Sequence, residues 1–175
     1  MQTQTKCHAC GSLNVKLQRG QIHHFTESGL ENVFLVNVDT YRCPDCKEDF
    51  VSIPRPMELL NCIAEALLRK PGLLAGPEIR FLRKNRCMKL AEFAQLIGHT
   101  RVALSRWENG KREVSKAADR AIRLAYLANS NVSRKLREDL IEAIQKEHEG
   151  APQKLEYQIR FPLKKSSCQI RSNAA

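Results

Sequence analysis

Four cysteines in the first fifty residues stand in two identical pairs, Cys7-His8-Ala9-Cys10 and Cys43-Pro44-Asp45-Cys46, with thirty-two residues between them. A C-x-x-C pair turns back on itself so that two soft thiolates point at one ion. Two such knuckles brought together make a tetrahedral four-sulfur cage suited to zinc. Four protein thiolates leave no open position for water or substrate, so the expected role is structural, with one zinc ion per chain. Zinc deamination is a poor fit: that chemistry needs a proline before the C-x-x-C and an upstream H-x-E, whereas Arg42 precedes Cys43 and His8 is followed by Ala9 and Cys10. A redox dithiol using one C-x-x-C stays open as an alternative, although no βαβ pattern surrounds either pair. His8, His23 and His24 are spare to the cysteine set, and Cys62, Cys87 and Cys168 have no ligand-spaced partner.

The second constellation is cationic. The net charge is +10, and it is unevenly spread: residues 1–56 carry six basic and six acidic groups, residues 57–130 fourteen and seven, and residues 131–175 nine and six. An excess concentrated in the middle points to a polyanion, of which nucleic acid is the commonest. The run from Arg101 to Glu108 refines this. At about 100° per residue, Ala103, Trp107 and Leu104 gather on one side of a helix, while Arg101, Ser105, Val102 and Arg106 occupy the other. Trp107 is thereby expected in the core. The opposite face offers two guanidiniums able to pair with guanine O6 and N7, and a valine suited to a thymine methyl. Arg101, Val102, Ser105 and Arg106 are the expected base readers. Lys84, Arg86, Lys89, Lys111 and Arg112 flank them as candidates for phosphate contacts, which position a protein without reading sequence.

Elements to carry these groups can be read from periodicity and punctuation. Val15 and Leu17, then Val33, Leu35 and Tyr41, then residues 50–53 predict three short strands around the cysteines, closed by Pro54 and Pro56. This is the pattern of a zinc ribbon over residues 1–56. So small a segment buries little apolar area alone, and the metal is expected to supply much of its folding free energy. Residues 57–72 read as a linker helix ending at Pro71 and Gly72. Residues 73–130 read as short helices separated by Gly98 and Gly110, with Thr100 and Ser115 as caps, and the turn between the second and third has helix-turn-helix spacing. In residues 131–175 an amphipathic helix over 131–149 precedes an alternating Leu155, Tyr157, Ile159, Phe161 run and an end expected to fray. The fold class expected is α+β, a small β zinc ribbon followed by an all-α helix-turn-helix domain with a helical C-terminal extension.

Composition excludes other classes. At 42% apolar and 27% charged residues the chain can form a core, and its longest apolar runs fall far short of the roughly 20 residues a bilayer span needs. The start, MQTQTK, is polar and predicts no secretory segment, hence a cytoplasmic, nucleoid-associated protein with no membrane contact. No Ser/His/Asp or paired-carboxylate constellation stands out and no glycine run cradles a phosphate, so no enzyme is expected.

Residues 79–128, above all Ala91-Glu92-Phe93-Ala94-Gln95-Leu96-Ile97-Gly98 and Leu104-Ser105-Arg106-Trp107-Glu108-Asn109-Gly110, resemble the Xre/Cro-type helix-turn-helix. Joined to the upstream cysteine pairs, the chain over residues 5–130 looks like the MqsA-type antitoxins, also described as YgiT-type zinc finger proteins. That resemblance implies one zinc held by Cys7, Cys10, Cys43 and Cys46, a ribbon that contacts a small ribonuclease toxin, and a helix-turn-helix half that dimerises and represses its own promoter at a palindrome in double-stranded DNA. It also implies a base-contacting arginine at Arg106. The family's asparagine at the other base-contacting position is Val102 here, which implies a different operator. Leu90 stands where such repressors usually place a phosphate-binding glutamine. The function expected is a homodimeric DNA-binding repressor of the antitoxin type. The alternatives are an antitoxin acting mainly by sequestering its toxin through the ribbon, or a thiol redox protein.

Overall fold

The computed structural model describes residues 5–145, 155–163 and 168–172. Strand β2 (Val33–Arg42) organises the N-terminal half. Strand β1 (Lys16–His24) pairs antiparallel with it from Lys16 opposite Arg42 to His24 opposite Phe34, with a register shift between Gln18 and Ile22. The other edge of β2 is shared. β3 (Asp49–Ser52) takes Asp39 to Arg42, and β4 (Leu155–Arg160) runs parallel to Val33 through Val36. Asn37 sits where β2 changes partner, at φ 62, and its side-chain amide donates to the Phe161 carbonyl at 2.7 Å. β5 (Cys168–Ser172) pairs with β4 and completes a five-stranded sheet.

This sheet corrects two expectations. Within the end expected to fray, residues 168–172 form a strand. Nor is the ribbon self-contained, since a strand from more than a hundred residues away inserts beside β2. The physical reason is the alternation of Leu155, Tyr157 and Ile159, which must bury one face. Registered against Val33 and Leu35, they leave Val33, Leu35, Tyr157 and Ile159 all at 0% exposure.

Helix α1 (Pro56–Arg69) was expected to be a linker, but Leu59, Ile63, Ala64, Ala66, Leu67 and Leu68 are all buried on it. It belongs to an apolar cluster that runs from Phe25, Leu30 and Val38 through α1 to Trp107, Leu140 and Phe161. Around it pack α2 (Gly76–Asn85), α3 (Leu90–Leu96), α4 (Arg101–Glu108), α5 (Lys116–Ala128) and α6 (Arg134–Gln145). Of the helix expected over 131–149, residues 131–133 precede α6 and are not helical, and 146–149 lie outside the described residues. No helix among the described residues is long and apolar enough to cross a membrane.

Charged groups inside this core are paired. The Lys70 ammonium donates to both Glu78 oxygens at 3.0 and 2.7 Å, and the Tyr157 hydroxyl donates to Glu78 at 3.2 Å. Strand β4 is thus tied to the first turn of α2. Gly76, in the same turn, lies against the end of α4: a Cβ there would meet the Trp107 carbonyl oxygen at 2.4 Å and that of Glu108 at 2.9 Å. Backbone atoms cannot yield as a flexible side chain can. Gly76→Ala should therefore cost about 1 to 3 kcal/mol of stability, the range for overpacking, read as a lower midpoint in thermal unfolding. An unchanged midpoint would show that α2 and α4 slide apart freely.

Candidate nucleic-acid interface and metal centre

The two cysteine knuckles have the same backbone. Gly11 N–H donates to the Cys7 carbonyl at 3.0 Å and Cys7 N–H to Ser12 at 2.8 Å; Lys47 N–H donates to the Cys43 carbonyl and Cys43 N–H to Glu48, both at 2.9 Å. Each turn is closed by a residue of positive φ, Gly11 and Lys47. The Ser12 hydroxyl bridges them by donating to Asp45 at 2.5 Å. The result brings all four expected ligands together. Cys7 lies 3.6 Å from Cys46 and Cys10 3.6 Å from Cys43, sulfur to sulfur, and the four sulfurs lie within 4.8 Å of one another. A regular tetrahedron with metal–sulfur bonds of about 2.3 Å has edges of about 3.8 Å, so the cage has the size of a single ion.

Its electrostatics agree. The Cys10 backbone N–H favours the Cys7 thiolate and holds its pKa down to about 7. Cys46 gains a similar bond from Glu48, yet desolvation and the neighbouring thiols push it up to about 12. Cys7 ionises readily and Cys46 resists, because burial and neighbouring sulfurs disfavour its charge. A bound cation would offset that cost by favouring the thiolate form of every ligand. Cys7 and Cys43 are buried and Cys10 and Cys46 exposed, so the cage lies at the rim of the sheet, on the opposite end of β2 from β4.

The face expected to read DNA is built by α3 and α4. Both helices end in a Schellman motif: His99 N–H reaches the Ala94 carbonyl at 2.9 Å and Lys111 N–H the Arg106 carbonyl at 2.8 Å, with Gly98 at φ 71 and Gly110 at φ 65. Thr100 caps α4 by accepting from Ala103 N–H at 3.1 Å, and Ser115 caps α5 by accepting from Ala118 N–H at 3.3 Å. These stops hold α4 at a fixed angle to α3. Leu104 and Trp107 turn into the core, and the His99 ring meets the indole edge-on at 4.9 Å.

On the other side, Arg101, Val102, Ser105, Arg106 and Lys111 line one shallow groove together with Leu90 and Asn109. Val102 is 60% exposed. Among the described residues the side chains of Arg101, Arg106 and Lys111 make no hydrogen bond or ion pair. The only carboxylate of α4, Glu108, is turned inward and neutralised: Arg83 holds both its oxygens, at 2.7 and 2.8 Å. The groove is left with positive charge only.

The expected phosphate contacts divide. Lys111 joins the groove, Lys84, Lys89 and Arg112 are exposed, and Arg112 borders the loop after α4. Arg86 goes elsewhere. Its guanidinium lies over the Tyr126 ring at 4.8 Å and donates to Asn61 at 3.1 Å, because Arg86, at the C-cap of α2, turns toward α1 and α5, whereas Arg83 three residues earlier faces α4. Asn109 was missed as a lining residue. Its amide donates to the Ser105 carbonyl at 2.7 Å while its oxygen accepts from Arg80 at 2.6 Å. Carrying the helical wheel one turn further puts it at about 80°, between Ser105 and Val102, so the signal was present.

Residues 79–124 match a family model described as helix-turn-helix. The chain therefore carries a helix-turn-helix domain of the Xre/Cro kind, a module that binds DNA at particular sequences, preceded by a four-cysteine cluster able to hold a metal ion. No curated protein and no solved structure matches the chain.

Proposed function

We propose that the protein is a transcriptional repressor of the antitoxin type, which binds a palindromic operator as a homodimer with α4 in the major groove and holds one structural zinc ion in the cage of Cys7, Cys10, Cys43 and Cys46. One observation carries the DNA half. Arg80, Arg83, Arg86 and Arg123 all bond inside the fold, whereas Arg101 and Arg106 have no partner among the described residues and stand with Val102 on the outer face of α4, within the matched motif. In the groove, Arg106 takes a guanine edge, Val102 a thymine methyl, and Arg101 and Ser105 the neighbouring positions. Lys84, Lys89, Lys111 and Arg112 meet phosphates, each neutralised phosphate adding about 0.9 to the salt slope. Two copies engage half-sites about 34 Å apart, so operator symmetry mirrors protein symmetry. Such a regulator works in the cytoplasm, on the nucleoid.

The donor set supports zinc, since four thiolates around one ion are its usual structural site. The geometry favours it over thiol redox work: all four sulfurs converge on one point, and neither C-x-x-C stands alone as a reactive pair.

Replacing Arg106 with alanine tests the reading. Competition binding against operators altered one base pair at a time should show a loss of about 1 to 3 kcal/mol and indifference at one position per half-site. Equal weakening on every sequence would make Arg106 a phosphate clamp and remove it from recognition.

A second observation favours a protein partner for the ribbon. β1 is a sheet edge along which Leu17 and Ile22 are 41% and 69% exposed, on a segment with equal numbers of acidic and basic groups. Exposed apolar residues on a free edge suit strand-to-strand docking. By resemblance the partner is a small ribonuclease toxin. Co-purification of such a protein with the intact chain, lost on Ile22→Lys, would support this reading; retention would move the docking surface off β1.

A further inference from the structure

Away from the DNA-reading face, α1, the end of α5 and α6 enclose a cleft of about 260 Å³. Its floor is apolar, from Leu68, Leu127 and Leu140. Its rim carries two opposite charges that do not neutralise each other. Glu65 on α1 is half-buried and, among the described residues, makes no hydrogen bond or ion pair; burial pushes its carboxyl up and only Arg69 draws it back. Among the described residues the buried Arg86 Nε has no hydrogen-bond partner, Nη2 donates to Asn61 at 3.1 Å and Nη1 reaches the Asn129 carbonyl only at 3.4 Å, so neutral acceptors alone meet this charge. Both charges are felt at Tyr126, which lies in the same cleft.

We propose that this cleft binds a small zwitterion with an apolar side chain, an α-amino acid between valine and phenylalanine in size. Arg86 takes the carboxylate, Glu65 takes the ammonium, and the side chain covers the leucine floor. A guanidinium fork matches a carboxylate, and a half-buried carboxylate gains from a cation that replaces lost water. The cleft is smaller than the roughly 300 Å³ at which pockets for drug-sized ligands begin, so a metabolite is the right scale. Since Arg86 caps the end of α2 and Glu65 lies on α1, the ligand braces these two helices together. The site shares no residue with α4 and stands independently of DNA reading.

Calorimetric titration of the full-length chain with L-valine, L-leucine and L-phenylalanine tests this, with 4-methylpentanoate and 3-methylbutylamine as half-molecules. At least one amino acid should bind once per chain, with each half-molecule at least about tenfold weaker. Glu65→Gln and Arg86→Lys should each weaken that amino acid by about tenfold. Should the Arg86 variant fail to fold, Glu65→Gln decides alone. Absence of binding by all three amino acids, half-molecules as tight as the whole, or an unchanged affinity in Glu65→Gln would each overturn the proposal.

Discussion

Arg123→Ala is expected to lower the unfolding free energy by about 3 to 5 kcal/mol, the loss typical of breaking a buried ion pair by removing one partner. Arg123 is fully buried. Its Nε pairs with Asp119 at 2.8 Å, its Nη1 donates to the carbonyls of Leu67, Leu68 and Lys70 at 3.0 Å, and its Nη2 donates to Gly72 at 2.7 Å. The last carbonyls of a helix have no partner within it, and here one guanidinium from α5 satisfies the end of α1. Asp119 also accepts from Leu74 N–H at 2.8 Å, so the pair closes the whole 67–74 turn. Truncation strands several buried acceptors and leaves a carboxylate unpaired. Against a typical total of about 5 to 15 kcal/mol, that loss brings the chain to the edge of unfolding. Chemical denaturation measures it. A loss below about 1 kcal/mol, the value of an exposed pair, would mean that water replaces the guanidinium.

Cys43→Ser is the second large effect. Cys43 is buried, its sulfur faces that of Cys10 at 3.6 Å, and its N–H and carbonyl both close the second knuckle. Structural zinc sites contribute about 10 to 16 kcal/mol of apparent binding free energy, and one lost thiolate removes most of it. Purified wild-type chain should hold about one zinc, and the variant close to none. The damage should stay local. Phe25, Leu30, Val33, Leu35 and Val38 share a core with the helices, so the far end of the sheet keeps its packing without metal. Amide resonances of residues 5–15 and 43–50 should collapse while those of α2 to α5 persist and DNA is still bound. Global unfolding on metal loss would contradict the shared core.

That shared core is what the sequence alone concealed. The knuckles, the capping residues Thr100 and Ser115 and the inward turn of Trp107 were all legible, because each is a matter of residues three to four apart. The pairing of β4 with β2 was not. Leu155, Tyr157 and Ile159 announce a strand that buries one face, but periodicity carries no information about which strand, far along the chain, will supply the neighbour. α1 read as a linker for the same reason: its apolar stripe was plain, and the surface it meets comes from α2, α6 and β5. Arg123 was passed over because an arginine on a helix is ordinarily solvated, and only the tertiary fold delivers the carbonyls that make its burial favourable. Arg86 shows the converse, a basic residue near the motif in sequence whose helix face sends it to Tyr126. On α4 the wheel sufficed, since the partition of its two faces is decided within eight residues.

Selection of bound sites from random duplex DNA with the purified 175-residue chain shows whether α4 reads bases. With α4 reading bases in two symmetric copies, the selected pool should converge on an inverted repeat whose half-sites lie about one helical turn apart, each with a guanine that loses its enrichment when Arg106→Ala is used instead. A pool that stays random at moderate salt, where sequence-independent phosphate contacts weaken, would contradict the account.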